Sequence, residues 1–296
     1  MNLIKYRKIY FAISLIVIIP GLIALLLWGL NPAIDFSGGS QLSFLYKGNY
    51  LSAKNNIEKV LNSEKIEIGT IQRSNNEIVL QTKVINDTKN KIIITELKKV
   101  NITEDSFQTV GPIIGAETTK NAFYSVIFAS ILIVLYIWLA FREVPKPASS
   151  LRFGICAIIA LLHDVLVVVG IFSILGHFWG VEVDSLFVTA ILTVVGFSVH
   201  DTIVVFDRIR ENLKKNLILD FDTVVNDSLL QTLGRSLKTS LTVILVLTSL
   251  LIFGSSSIRW FVVALLIGTI SGTYSSIFNA SQLLIVWNNW SKKRKK

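Results

Sequence analysis

One cysteine occurs among the 296 residues, Cys156, so no disulfide can form within the chain. Histidine is nearly as scarce, and none of the three pairs with a second His, Cys or Glu at metal-ligand spacing. No metal site is expected, and nothing calls for a cofactor. The sequence has no GxxxxGK followed by Ser or Thr, no HExxH and no GxSxG. An ATP-driven pump is therefore disfavoured, which leaves ion gradients as the energy source. An intramembrane hydrolase would need paired catalytic carboxylates or a Ser-Lys dyad, and neither is found. The chain is read as a non-enzyme. No internal repeat shows at a period of about 20 to 50 residues.

What the chain has in abundance is apolar sequence. Hydrophobic residues make up 52% and the mean hydropathy is +0.60, too apolar for an ordinary soluble domain. Long apolar stretches fall at roughly 10–30, 122–141, 153–175, 186–206, 237–253 and 260–287. A hydrocarbon core about 30 Å thick takes about 20 helical residues, so each stretch is long enough, or nearly so, to span it. The last is overlong and is expected to tilt or to continue past the bilayer. The first follows Lys5, Arg7 and Lys8 like a signal peptide, but no small-x-small cleavage site follows it, so it is read as a retained helix.

Basic residues cluster before span one, at Arg142, Lys146 and Arg152 between spans two and three, at Arg208, Arg210, Lys214 and Lys215 after span four, and at 292–296. The link 176–185 has no Lys or Arg and carries Glu182 and Asp184, and the link 254–258 has no basic residue either. All the clusters then share one side, which the positive-inside rule assigns to the cytoplasm, with both termini there. The net charge of +9 is thus a topology signal. The basic tail suits anionic lipid headgroups, and nucleic acid is not expected as a partner.

Residues 31–116 are polar and rich in Lys, Asn and Glu. The alternation in 40–46 (SQLSFLY) predicts a strand, and 52–62 places Ala53, Ile57, Val60 and Leu61 on one helical face. Segments 66–71 and 77–82, separated by Ser74, Asn75 and Asn76, read as a hairpin. A helix over 88–100 is weakened by Ile92, Ile93 and Ile94, and a last short strand covers 106–110. The order β-α-β-β-α-β is that of a ferredoxin-like unit. The expected architecture is a bundle of six transmembrane helices with a small α+β extracytoplasmic domain between the first two. Its parts are 1–30 (N-terminus and span one), 31–116 (the domain), 117–290 (five spans) and 291–296 (basic tail). One domain after span one followed by five clustered spans also fits half of a pseudo-symmetric transporter pair.

Ionisable groups within spans cost roughly 2.5 to 3.5 kcal/mol each on insertion scales, which makes them functional candidates by default. Asp164 follows His163 in span three and lies about 18 Å from Arg152 along the helix. It is either a relay group or a polar contact capped by a neighbouring Ser or Thr. Asp201 follows His200 in span four, about 9 Å inside the boundary marked by Asp207 and Arg208. Val194, Phe197, Val205 and Arg208 share its face, which is apolar apart from Arg208, so its carboxylate must turn into the bundle. Burial favours the protonated acid and a nearby Arg the ionised one, so a group poised between them can load and release protons. Arg235, at the start of span five, is the best partner by charge and depth. The alternative is a static buried pair that fixes helix register. His200 is either a proton shuttle or an interhelical hydrogen-bond donor. Asp207, Arg208, Arg210 and Glu211 read as a solvated helix end. In span six, Ala264, Gly268, Gly272, Ser276 and Ala280 recur four apart, a spacing that lets another helix approach closely. Gly38 and Gly39 read as a turn and not as a phosphate cradle.

Several of these segments resemble motifs of the SecD/SecF family. Asp35-Phe36-Ser37-Gly38-Gly39 is similar to its D-F-T/S-G-G turn, and Val110-Gly111-Pro112 with Gly115 to its V-G-P-x-x-G junction. GFSVHDTIVVFDRIREN, which begins at Gly196, resembles the end of the fourth span in SecF-type members, and LQTLGRSLKTS continues the likeness. The resemblance implies a protein-export subunit of the resistance-nodulation-division superfamily that pairs with a SecD-like chain into a twelve-span assembly. It implies docking on the SecYEG channel, use of the proton-motive force to draw preproteins outward, and YajC-like or YidC-like accessory partners. The family's intramembrane Asp and Arg fall on Asp201 and Arg235, and a His-Asp pair falls on His163 and Asp164. Many members have Asn where this chain has His200. A small-molecule or lipid exporter of the same superfamily and a static scaffold for the translocon are the rival readings.

Overall fold

The computed structural model describes residues 2–74, 76–142, 149–215 and 218–294; Asn75, Lys146, Lys295 and Lys296 lie outside them. In chain order the elements are α1 (Arg7–Trp28), α2 (Ile34–Ser37), β1 (Gly39–Tyr46), α3 (Tyr50–Ser63), β2 (Ile68–Ser74), β3 (Glu77–Thr82), α4 (Asp87–Lys98) and β4 (Ile102–Val110). There follow α5 (Pro112–Ala140), α6 (Ser150–Trp179), α7 (Ser185–Lys215), α8 (Phe221–Phe253), α9 (Arg259–Tyr274) and α10 (Ser281–Lys293). The chain divides into a helical unit, Met1–Leu30, Ser125–Val181 and Leu186–Lys296, and a sheet unit, Asn31–Tyr124 and Glu182–Ser185. The sheet unit thus takes in the start of α5 and Glu182–Ser185, which is part of the link between α6 and α7 with the first residue of α7.

In the sheet unit the strands run antiparallel in the order β2-β3-β1-β4. The alternation of β3 puts Ile78 and Leu80 inward, and they lie beside Phe44 and Leu42 of β1. Ala53, Ile57 and Leu61 of α3 and Ile93 and Leu97 of α4 cover these residues to form one core. Helix α4 survives its β-branched run because Asn86 caps it, accepting from the Lys89 amide at 3.0 Å, and because Ile93 is fully buried. Strand β4 starts earlier than the expected 106 because Ile102, Thr103 and Glu104 pair with Tyr46, Leu45 and Phe44.

Two motifs distant in sequence meet in this unit. Gly38 (φ +71°) lies so close to Pro112 that a Cβ on it would be 2.9 Å from the Pro112 Cα. A Cβ on Gly115 would be 2.9 Å from the Gly38 nitrogen and 3.0 Å from the Phe36 oxygen. The DFSGG turn and the GPxxG helix start therefore pack backbone against backbone, which only glycine permits.

Among the described residues, six helical segments are long and apolar enough to cross a membrane: Ile4–Trp28, α5, α6, α7, α8 and Ser256–Lys293. The chain is a multi-pass membrane protein. The overlong sixth segment is not one straight rod. A 3-10 turn at Ser256–Ile258 leads into α9, and a π-helical stretch, Ser275–Ala280, separates α9 from α10. Such stretches widen the helix by one residue and are common at functional sites. Glycines set the closest approaches in the helical unit. Gly21 of α1 meets Gly170 of α6 backbone to backbone, and a Cβ on Gly268 would be 2.6 Å from the Val194 Cγ1. Phe141, Phe153 and Phe206 form a ring cluster with centroids 4.9 to 5.9 Å apart.

Candidate functional site

Asp164 and Asp201 are both buried within the helical unit, at 1% and 3% exposure, yet their surroundings differ. Asp164 is saturated with donors. Its Oδ2 accepts from Ser198 of α7 at 2.5 Å and from Ser275 of the π stretch at 2.6 Å. Its Oδ1 accepts from Ser271 of α9 at 2.7 Å and lies 2.9 Å from the His163 Nδ1. The His163 Nε2 is 3.0 Å from the Ser14 hydroxyl of α1, which also accepts from Asn279 at 2.8 Å. One carboxylate therefore ties α1, α6, α7 and the sixth span together. Few-atom serine side chains suit this role, since they bring hydroxyls to the acid without holding the helices apart. Gly272 helps: a Cβ there would come within 3.1 Å of the Ser198 Cβ and 3.6 Å of the Asp164 Oδ2.

Asp201 has much less. Its Oδ2 accepts from the Ser240 hydroxyl of α8 at 3.5 Å, the outer limit of a hydrogen bond. Ser240 in turn accepts from Thr273 of α9 at 2.6 Å. One residue on from Asp201, Thr202 and Ser276 of the π stretch share a hydrogen bond of 2.8 Å. The two acids are thus held by neighbouring residues at the end of α9 and the start of the π stretch, Ser271 and Ser275 serving Asp164, Thr273 serving Asp201 through Ser240.

The expected ion pair between Asp201 and Arg235 is not formed; among the described residues no ion pair reaches Asp201. Helical phase explains why. Ser236 and Ser240, one turn apart, are both buried on the face of α8 that meets Asp201, whereas Arg235 is five residues from Ser240, a rotation of about 140° away. Arg235 is exposed, and it lines a cleft of about 320 Å³ with Asp207, Arg208, Glu211 and Gln231. His200 is also exposed, because the residue before an inward-facing Asp201 must turn about 100° off that face.

At the end of α7, Arg208 bonds Glu211 at 2.6 Å and Gln231 of α8 at 2.5 Å, and Arg210 bonds Asp207 at 2.6 Å and the Ala140 carbonyl at 3.1 Å. Gly196 is exposed, and a Cβ there would touch nothing. In the sheet unit, Asp35 accepts from the Ser185 amide at 3.0 Å. Sequence reasoning allowed Asp164 a Ser or Thr partner on a neighbouring span but did not single out Ser271 and Ser275 of ISGTYSSIFNAS. Their density within an apolar span was the available signal.

Fold and site together define a multi-span membrane protein with an interrupted final span and two carboxylates sealed inside its bundle. More particularly, the chain belongs to the SecD/SecF family: residues 89–290 match the model of the protein export membrane protein SecD/SecF, C-terminal region. It is 47% identical to the protein translocase subunit SecF of Thermobaculum terrenum, over 98% of this chain and 94% of that one. It is 40% identical to the SecF subunit of Anaerolinea thermophila, over 99% of this chain and 97% of the relative. The crystal structure of SecDF, a translocon-associated membrane protein from Thermus thermophilus, superposes with a TM-score of 0.85 at 33% identity, covering 98% of this chain. This chain spans 39% of that longer protein.

Proposed function

We propose that this chain is an accessory subunit of Sec protein export that works with a SecD-like partner and draws on the proton-motive force. Similarity to SecF subunits along almost the whole length supports the export role. The match to part of a longer SecDF chain supports a partner that supplies the remainder. The single observation that carries the proton reading is Asp201: an acid 3% exposed inside a span, held by one long hydrogen bond and no cation among the described residues. Such a group has no ion pair to break when it takes up a proton, and taking one up removes the cost of a buried charge. A charge moved across the membrane field is worth about 2.3 kcal/mol per 100 mV, so a few protons bias a helix rearrangement. The π stretch beside it is the element best suited to move.

Exposed Arg235 and His200 are available to a second membrane chain, and an acid on the SecD-like partner would complete the charge pair that this chain leaves open. The sheet unit is read as ferredoxin-like, which its strand order supports, and as extracytoplasmic. In this orientation both termini lie in the cytoplasm and the basic clusters face anionic lipid. Docking on the SecYEG channel and handling of preproteins belong to the same reading.

The test is export into vesicles that hold the channel, the SecD-like partner and this chain under an imposed proton gradient. Wild type should stimulate export only with the gradient, and Asp201→Asn should insert normally yet give no gradient-dependent stimulation. Normal stimulation by the variant rules out the relay. Stimulation by wild type that ignores the gradient favours a static scaffold.

A further inference from the structure

Three serine hydroxyls and one imidazole reach Asp164, and of these four groups only the imidazole can carry a charge. Both carboxyl oxygens accept from serine, the arrangement of an ionised acid. An anion buried to 1% exposure among neutral donors is costly, because they replace water incompletely. Among the described residues no Lys or Arg pairs with Asp164. His163, its Nδ1 2.9 Å away, is the group in contact that can supply the positive charge.

The far side of the ring points the same way. His163 Nε2 lies 3.0 Å from the Ser14 hydroxyl of α1. That hydroxyl accepts from the Asn279 amide at 2.8 Å and donates to the Tyr274 oxygen. Tyr274 gives its own hydrogen to the Tyr10 carbonyl at 2.7 Å, so its oxygen is open to accept. With the Ser14 hydrogen turned to Tyr274, Nε2 faces a lone pair and must itself donate. Both ring nitrogens are then donors, Nδ1 to the carboxylate and Nε2 to the hydroxyl, and only the imidazolium has both hydrogens.

We propose that His163 is a proton-binding site of the bundle, its imidazolium paired with an ionised Asp164. Sequence alone left Asp164 as a relay group or a capped polar contact; in this arrangement the acid is the fixed anion and the histidine takes up and releases the proton. Release needs one small motion. The neutral ring keeps its Nδ1 hydrogen on Asp164, and the Ser14 hydrogen rotates from Tyr274 to Nε2. The other titratable groups nearby do not compete. Tyr274 of α9, with its ring 6.5 Å from that of His163, and Tyr10 of α1 are uncharged at neutral pH. Asp201 of α7, three residues past Ser198, turns to Ser240 of α8.

The sign follows from linkage. The charged ring neutralises the pair, and its discharge leaves Asp164 ionised among neutral hydroxyls. The tie from α1 to α6 is therefore strongest while the ring holds its proton and loosens as rising pH removes it. Among the described residues the network shares no hydrogen-bonding side chain with Asp201, so the site stands independently of the export reading.

Nitrogen-15 NMR of the full chain with labelled histidine, in lipid nanodiscs, reads ring protonation directly. The chain has three histidines, and the His163 signals are identified by their loss in His163→Gln. At about pH 6 both His163 nitrogens should carry hydrogen, and raising the pH should yield the neutral ring protonated at Nδ1 alone. Asp164→Asn should bind the proton about tenfold or more weakly. Tyr274→Phe, which leaves the acid and its serines in place but removes the acceptor for Ser14, should bind it severalfold more weakly, and it decides the matter if Asp164→Asn does not fold. A ring neutral at about pH 6, a bare Nδ1, or a ring that stays charged to about pH 10 overturns the proposal, as does a wild-type midpoint in Tyr274→Phe. No export is measured, so none of these results bears on Asp201.

Discussion

Exchanging either buried aspartate for asparagine should separate architecture from function, because the two acids are held so differently. Asp164 receives four donors at 2.5 to 2.9 Å, two on each oxygen. Asparagine at that position would offer an amide nitrogen in place of one oxygen, so two donors would lose their acceptor. Hydrogen bonds to a charged group are worth about 1.5–3 kcal/mol each in soluble proteins. Between membrane helices the average is nearer 0.6 kcal/mol, because the unfolded chain in lipid also finds partners. The bracket for two bonds therefore runs from about 1 to 6 kcal/mol. Serine hydroxyls rotate freely, which favours the lower half, so Asp164→Asn should cost about 2–4 kcal/mol. Asp201 loses one bond already stretched to 3.5 Å, so Asp201→Asn should cost less than about 1 kcal/mol. Unfolding of the purified chain by SDS in mild detergent gives both free energies, and gradient-dependent export in vesicles gives the functional side. Asp164→Asn should unfold early. Asp201→Asn should unfold like the wild type yet lose gradient-dependent export. If Asp201→Asn unfolds as early as Asp164→Asn, its loss of export would reflect damage to the bundle, and the division of labour between the two acids fails.

Gly268→Ala should destabilise the helical unit by about 1–3 kcal/mol through overpacking, since its Cβ would fall 2.6 Å from the Val194 Cγ1. Adding Val194→Ala should recover much of that loss in the same SDS titration. Gly39→Ala should cost at least about 1–3 kcal/mol in the sheet unit, because φ is +129° and the new Cβ would meet the Thr82 carbonyl at 2.6 Å. Circular dichroism melts of the chain in detergent would register it, and an unchanged midpoint would remove the strain argument. Arg235→Glu should leave the stability of the isolated chain within about 0.5 kcal/mol, as expected for an exposed side chain without an ion pair among the described residues. It should nevertheless abolish gradient-dependent export with the partner present. A large loss of stability in the isolated chain would show that Arg235 serves the bundle and not a partner.

Much of this molecule was set by the sequence directly. Apolar runs long enough to cross a bilayer can do little else, because lipid offers no other partner for a peptide group than its own helix. The alternation of Glu77–Thr82 likewise admits one inward face, with Ile78 and Leu80 on it. Even the burial of Asp201 followed from the apolar residues sharing its helical face. What the sequence could not fix is which groups meet across helices. Charge and depth singled out Arg235 for Asp201, but those criteria ignore rotation of α8 about its axis, which packing of Ser236 and Ser240 decides. The serine cage around Asp164 draws Ser198 from α7, Ser271 from α9 and Ser275 from the start of a π stretch, and no periodicity announces that convergence. Glu182 read as a loop acid that marked topology; only the folded sheet brings Gln72 and Gln81, on separate strands, to its two oxygens. Local periodicity settles which way a residue faces within its own element. What it then touches is a property of the whole packing, where small residues and a single change of helical pitch redirect a side chain from one neighbour to another.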